Sequence, residues 1–198
     1  MEKNRSRTEQ LLINAIEDLI KEQGFEKLGV RAVAEKAGVD KTLIYRYFGS
    51  LNGLIYKCLK RHDFWTNVSV EMPESIDVKD YIKELFRKQI VEFRNNDVMK
   101  RLMRWELSND NDFISELRQQ REDNGLERIR IISRMTHIPF EDLAAISSII
   151  TGGICYLVML EETCRYYNGI DIKSNEGWEQ LIKSVNNIID LKYNENGI

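Results

Sequence analysis

Val30 to Phe48, VRAVAEKAGVDKTLIYRYF, reads as two short helices folded across a tight turn. Ala34 supplies the small side chain needed where a second helix passes steeply over the first, and Gly38 follows four residues later. A glycine there ends the first helix in the left-handed conformation, and Asp40 is placed to cap the second by accepting a backbone N–H. Val33, Ala37, Val39 and Ile44 fall where such a unit buries apolar groups. The pattern is a helix-turn-helix, a unit whose second helix lies in the major groove of DNA.

At about 100° per residue, turning Ile44 inward leaves Thr42 and Arg46 pointing almost directly away, with Tyr47 and Phe48 on the flanks. Arg46 is suited to donate two hydrogen bonds to a guanine, and the Thr42 hydroxyl or methyl to meet several bases. Leu43 and Tyr45 border that face. Lys41 lies in the first helical turn, where the macrodipole disfavours a cation, so a phosphate partner accounts for it better than helix stability does.

The surrounding composition fits a helical protein. With 198 residues, 42% of them hydrophobic, the chain is long enough to bury a core in one or two domains, and only two prolines interrupt it. The net charge of −3 argues against generic nucleic-acid binding, but residues 1 to 61 carry a balance of +4 and the remainder −7, so the basic part coincides with the motif. Cys58, Cys155 and Cys164 are odd in number and show no metal-ligand spacing, and His62 and His137 stand far apart. Reduced thiols, a cytoplasmic location, and no metal or other cofactor are expected. MEKNRSRTEQ is followed by no apolar run of the kind a signal peptide needs. Leu143 to Leu160 holds eighteen residues without a charge, the lower edge of a membrane span. Its serines, threonine and glycine pair, and the acids bracketing it, favour a helix buried in protein.

In order along the chain, Thr8 or Ser6 is expected to cap a first helix carrying Leu12, Ala15, Ile16, Leu19 and Ile20 and ending at Gly24. Ser50 caps a helix that runs from the motif through Leu54, Ile55, Cys58, Leu59 and His62 to Trp65. Met72 to Ile76 reads as a loop, and Asp77 caps the next helix, which Asn95-Asn96-Asp97 interrupts. A short apolar-aromatic helix around Met103 and Trp105 follows, then a long charged one from Phe113 to Met135. Pro139 opens a helix that ends near Tyr167-Asn168-Gly169, and Ser174 or Asn175 begins the last. The predicted fold is all-α with about nine helices and no strand-like alternation.

The run AEKAGVDKTLIYRYFGSLNGLI resembles the amino-terminal signature of the TetR family of bacterial transcriptional regulators, in which an aromatic-rich recognition helix ending in Tyr-x-x-Phe leads into a long fourth helix. The resemblance implies a three-helix DNA-binding domain over residues 1–50 and a helical ligand-binding and dimerisation domain over 51–198. It implies DNA contacts from Arg31, Lys41, Thr42 and Leu43, and groove and phosphate contacts from Tyr45, Arg46 and Tyr47. The family usually has Ser or Thr where Val30 opens the second helix and Lys where Leu51 opens the fourth. Clamping of the DNA backbone is then expected to be weaker or to come from elsewhere, such as Lys3, Arg5 and Arg7.

The resemblance further implies a homodimer through the last two helices, no membrane, a palindromic double-stranded operator, and a small-molecule effector that releases DNA. Trp65, Phe86, Met103, Trp105 and Tyr156 are the candidate effector contacts, because aromatic and Met side chains suit ligand sites. No Ser-His-Asp order, phosphate loop, zinc signature or paired-acid motif appears, so no catalysis is expected. The competing reading is a helical dimeric interaction module whose DNA binding has weakened.

Overall fold

Leu12, Ile16 and Ile20 recur at helical spacing and are fully buried on one face of α1 (Glu2–Gln23). The computed structural model to which they belong describes residues 2–71, 77–109 and 111–195. The expected start of α1 moves, because Thr8 does not cap it: its hydroxyl donates to the Asn4 carbonyl one turn earlier, inside the helix. A single 3₁₀ turn, Phe25–Lys27, follows Gly24. The motif then forms α2 (Val30–Ala37) and α3 (Thr42–Phe48).

After α3 the chain forms α4 (Leu51–His62), capped by Ser50, whose Oγ accepts the Gly53 N–H at 3.0 Å. The helix stops before Trp65. The fully buried Asp63 leaves helical geometry and its carboxylate accepts the Thr66 N–H at 2.9 Å, opening a separate one-turn helix, α5 (Phe64–Asn67). Asp77 caps α6 (Val78–Asn95) as expected, and Asn96 caps α7 (Asp97–Ser108) through the Met99 N–H at 3.0 Å. The long charged helix is α8 (Asp112–Thr136), followed by α9 (Phe140–Leu160), with Pro139 at its N-cap. The expected loop from Met72 to Ile76 lies outside the described residues.

The expected extension of α9 to Tyr167 is replaced by a small antiparallel hairpin of β1 (Tyr166–Tyr167) and β2 (Ile170–Asp171). Asn168 and Gly169, at φ 49° and 81°, make its two-residue turn. Asn-Gly is the strongest short hairpin signal in a sequence, and its turn chemistry prevails here over the helical pattern that precedes it. Last comes α10 (Asn175–Glu195), capped by Ser174 through the Gly177 N–H at 3.0 Å. Ten α-helices among the described residues, against about nine expected, leave the all-α class standing.

Packing divides the chain into two compact units, Met1–Asn67 with Asn96–Gln119, and Val68–Asn95 with Gln120–Ile198. This cut differs from the functional boundary expected after residue 50. In the first unit α1 packs on α2, α4 and α7, and α3 on α4. Val33, Ile44, Leu54, Leu59 and Leu102 are fully buried there. In the second, α6 packs on α9 and α10. Glu161 at the end of α9 accepts from Arg94 of α6 at 3.0 Å and from the Trp178 indole of α10 at 2.9 Å, so one carboxylate ties three helices together.

One face of α9 is exposed among the described residues. Only 17% of its most apolar stretch is buried within the described chain. By length and composition alone it is the one described helix able to cross a membrane. Ile149 is 75% exposed, Leu191 of α10 65% and Tyr156 51%. A Cβ added at Gly152 or Gly153 would meet no described atom within 4 Å.

Candidate nucleic-acid interface

The turn between α2 and α3 closes as the sequence requires. Gly38 adopts φ 65°, ψ 33°, its N–H donates to Glu35 O at 3.1 Å, and the Val39 N–H reaches back to Ala34 O at 3.0 Å. These two bonds satisfy carbonyls that a helix end otherwise leaves unpaired. Val33 and Ile44 are fully buried, whereas Ala37 and Val39 are half-buried.

Asp40 caps α3 and also orients its first reader. One carboxylate oxygen accepts both the Thr42 hydroxyl at 2.5 Å and the Thr42 N–H at 2.8 Å. Those bonds, the hydroxyl's foremost, hold the Asp40 carboxyl below the usual range. With its proton committed to Asp40, the Thr42 oxygen is left as an acceptor, and the methyl as an apolar contact. Toward base edges that suits an exocyclic amine or a thymine methyl.

Of the expected DNA contacts, Arg31, Lys41, Thr42, Tyr45 and Arg46 are exposed, with Tyr45 at 53%. Leu43 and Tyr47 are half-buried. Thr42 and Arg46 thus lie on the face of α3 away from the buried Ile44. Arg5 of α1 stands 5.3 Å over the Tyr47 ring while its Nε donates to Glu9 at 2.8 Å. Glu9 also accepts from Lys57 of α4 at 3.3 Å, and the Lys57 ammonium lies 5.4 Å from the Phe48 ring centre. The Arg5 hydrogen bond holds the Glu9 carboxyl below its usual range. A line of cations anchored by one carboxylate therefore flanks α3. The Arg5–Glu9 half was legible as an i,i+4 pair, but the Lys57 half required the packing of α4 on α1. Arg7 is exposed, and the Lys3 side chain lies outside the described residues.

Gly53 is a functional position the sequence reading missed. A Cβ there would sit 2.2 Å from the Phe48 carbonyl oxygen, so the close return of the chain from α3 into α4 admits only glycine.

The candidate effector contacts do not belong to one unit. Trp65, Met103 and Trp105 are in the first, Phe86 and Tyr156 in the second. The Trp105 ring stacks on Phe25 at 4.6 Å and on Phe113 at 5.5 Å, and borders a pocket of about 150 Å³ with Arg101 and Arg104. Met103 and Phe86 are buried, Trp65 is half-buried with its ring edge-on to Phe64, and Tyr156 lies edge-on to Tyr167 at 5.8 Å. Glu17, Cys58 and His62, which sequence spacing did not single out as a group, bring one ligand atom each within 4.8 Å of one another. Cys58 and His62 are four residues apart, a spacing that puts them on one helix face.

Residues 12–56 match the model of a family described as bacterial regulatory proteins, tetR family. No curated protein is significantly similar in sequence. Among solved structures, the fatty acid degradation regulator FadR from Bacillus halodurans is 19% identical, with 92% of this chain and 94% of that one covered and a TM-score of 0.64. A TetR-like transcriptional regulator from Rhodococcus sp. RHA1 is 16% identical over 90% and 93% of the two chains, at a TM-score of 0.60. A TetR-family regulator from Streptomyces coelicolor A3 is 14% identical over 96% of each, at 0.56. At such identities the likeness extends to the fold.

Proposed function

We propose that this chain, whose residues 12–56 belong to the tetR family of bacterial regulatory proteins, is a transcriptional repressor that binds a palindromic operator as a homodimer and is released by a small-molecule effector. The observation that carries the reading is the outward display of Thr42 and Arg46 on α3, opposite the fully buried Ile44. An exposed Arg and an acceptor-only Thr one turn apart offer bidentate reading of a guanine beside a contact to a neighbouring base. Arg31, Lys41, Tyr45, Tyr47 and Leu43 surround them, with the cations meeting phosphates and the tyrosines the groove wall.

Dimerisation is supported by the apolar side chains that α9 and α10 leave in water. Isologous pairing of that surface gives twofold symmetry, which sets two recognition helices about 34–36 Å apart on one face of DNA. Release follows by differential affinity: an effector that prefers a subunit arrangement with a different spacing lowers operator affinity by the same coupling factor. Trp65, Phe86, Met103, Trp105 and Tyr156 are the side chains whose replacement by Ala is expected to blunt that response.

Selection of binding sequences from a random duplex pool by the full chain tests the reading. Enrichment of an inverted repeat with half-site centres about one helical turn apart is the expected result. Weak binding with a shallow salt dependence and no enriched repeat would replace it with the interaction-module reading.

A further inference from the structure

We propose that Glu17, Cys58 and His62 form a binding site for one divalent ion of the zinc class, tying α1 to the last turn of α4. Cys58 and His62 project from one face of α4, and the Glu17 carboxylate meets them from α1. Glu17 Oε1 and His62 Nε2 lie 2.8 Å apart, yet both atoms are buried and neither has an aligned hydrogen-bond partner. Two ligand atoms converge from α1 and α4, and the Cys58 sulfur stands within 4.8 Å of both.

One thiolate, one imidazole and one carboxylate, with water in the fourth position, is a donor set zinc accepts. Tetrahedral bonds of about 2.0–2.3 Å hold ligand atoms roughly 3.4–3.6 Å apart. The Glu17–His62 pair must open by about half an ångström, and the widest separation must close by about one, both within reach of side-chain rotation. The Glu17 and His62 side chains are 16% and 21% exposed while Cys58 is fully buried, so the ion enters between the first two and meets sulfur at the inner end.

On binding, the S–H bond breaks, the sulfur–metal bond forms, and the proton leaves to water. Arg61 is the competing cation, at 3.6 Å from Glu17 Oε1, but its side chain is 53% exposed and free to swing into solvent. The His62 carbonyl accepts from Asn96 Nδ2 at 3.2 Å, which fixes the end of α4 on which the site is built.

Titration of the metal-free, reduced full chain with Co²⁺ tests the site without DNA. One equivalent is expected to saturate a near-ultraviolet thiolate-to-cobalt charge-transfer band, which Zn²⁺ then abolishes by displacement. The band is expected to persist when Cys155 and Cys164 are both replaced by Ser, and to vanish in Cys58→Ser. Because a change at the buried Cys58 risks the fold, Glu17→Gln and His62→Gln give a second measure, each expected to weaken Co²⁺ affinity by at least about tenfold. Absence of the band, its survival in Cys58→Ser, its loss in the Cys155/Cys164 double variant, or unchanged affinity in both Glu17→Gln and His62→Gln overturns the site.

Discussion

Arg46 on α3 and Lys41 just before it are both exposed cations, but their positions assign them different work. Arg46 faces away from Ile44, toward base edges, whereas Lys41 sits just before the first turn of α3, where its charge is placed to meet a phosphate. Arg46→Ala is therefore expected to weaken the selected operator by about 10- to 100-fold while leaving affinity for random duplex nearly unchanged. Lys41→Ala is expected to weaken both and to reduce the slope of log affinity against log salt by about 0.9. Fluorescence anisotropy with specific and random duplexes across a salt series separates the two, and equal losses on both duplexes in Arg46→Ala would remove it from base reading. At this scale helical periodicity was enough to orient α3, because a single buried anchor at Ile44 determines where every other side chain points. The bond from Thr42 to Asp40 was not readable in that way. It depends on which of two competing donors the carboxylate accepts, and it accepts both.

Among elements, the passage from α3 to α4 is closely constrained. Ser50 caps α4 as its position in the sequence suggested, but capping alone does not require Gly53. The requirement comes from the Phe48 carbonyl lying where a Cβ at residue 53 would fall. Gly53→Ala must displace backbone, and overpacking of this kind costs roughly 1–3 kcal/mol. At about 2–4 °C per kcal/mol for a chain of this size, the melting temperature is expected to fall by several degrees. Calorimetry of the variant checks this, and an unchanged transition would mean that the turn relaxes freely. The elements misread in the sequence fail for related reasons. The break at Asp63 serves a buried carboxylate, and the hairpin at Asn168-Gly169 answers to two residues of local turn chemistry that a long apolar run beforehand had obscured.

For the whole molecule, the uncovered face of α9 is the outstanding feature. Fully burying one Ile side chain contributes about 1.5–3 kcal/mol, and twofold pairing counts each such contact twice. Ile149→Glu places a charge at the centre of that face without disturbing the packing of a side chain already 75% exposed. Sedimentation at micromolar concentration is expected to give a dimer for the wild type and a monomer, still helical by circular dichroism, for Ile149→Glu. A wild-type monomer would set aside both the paired tails and the palindrome.

The helix-turn-helix, the all-helical class and the outward face of α3 were determined by the sequence alone, because each follows from interactions within about ten residues: a glycine turn, a cap, a helical period. Only tertiary structure decided that Glu17 meets Cys58 and His62, that Glu9 joins Arg5 to Lys57, and that one face of α9 stays exposed among the described residues. Each of these depends on which faces of distant helices are pressed together. Local periodicity marks a face as apolar or polar, but it does not say which other face covers it.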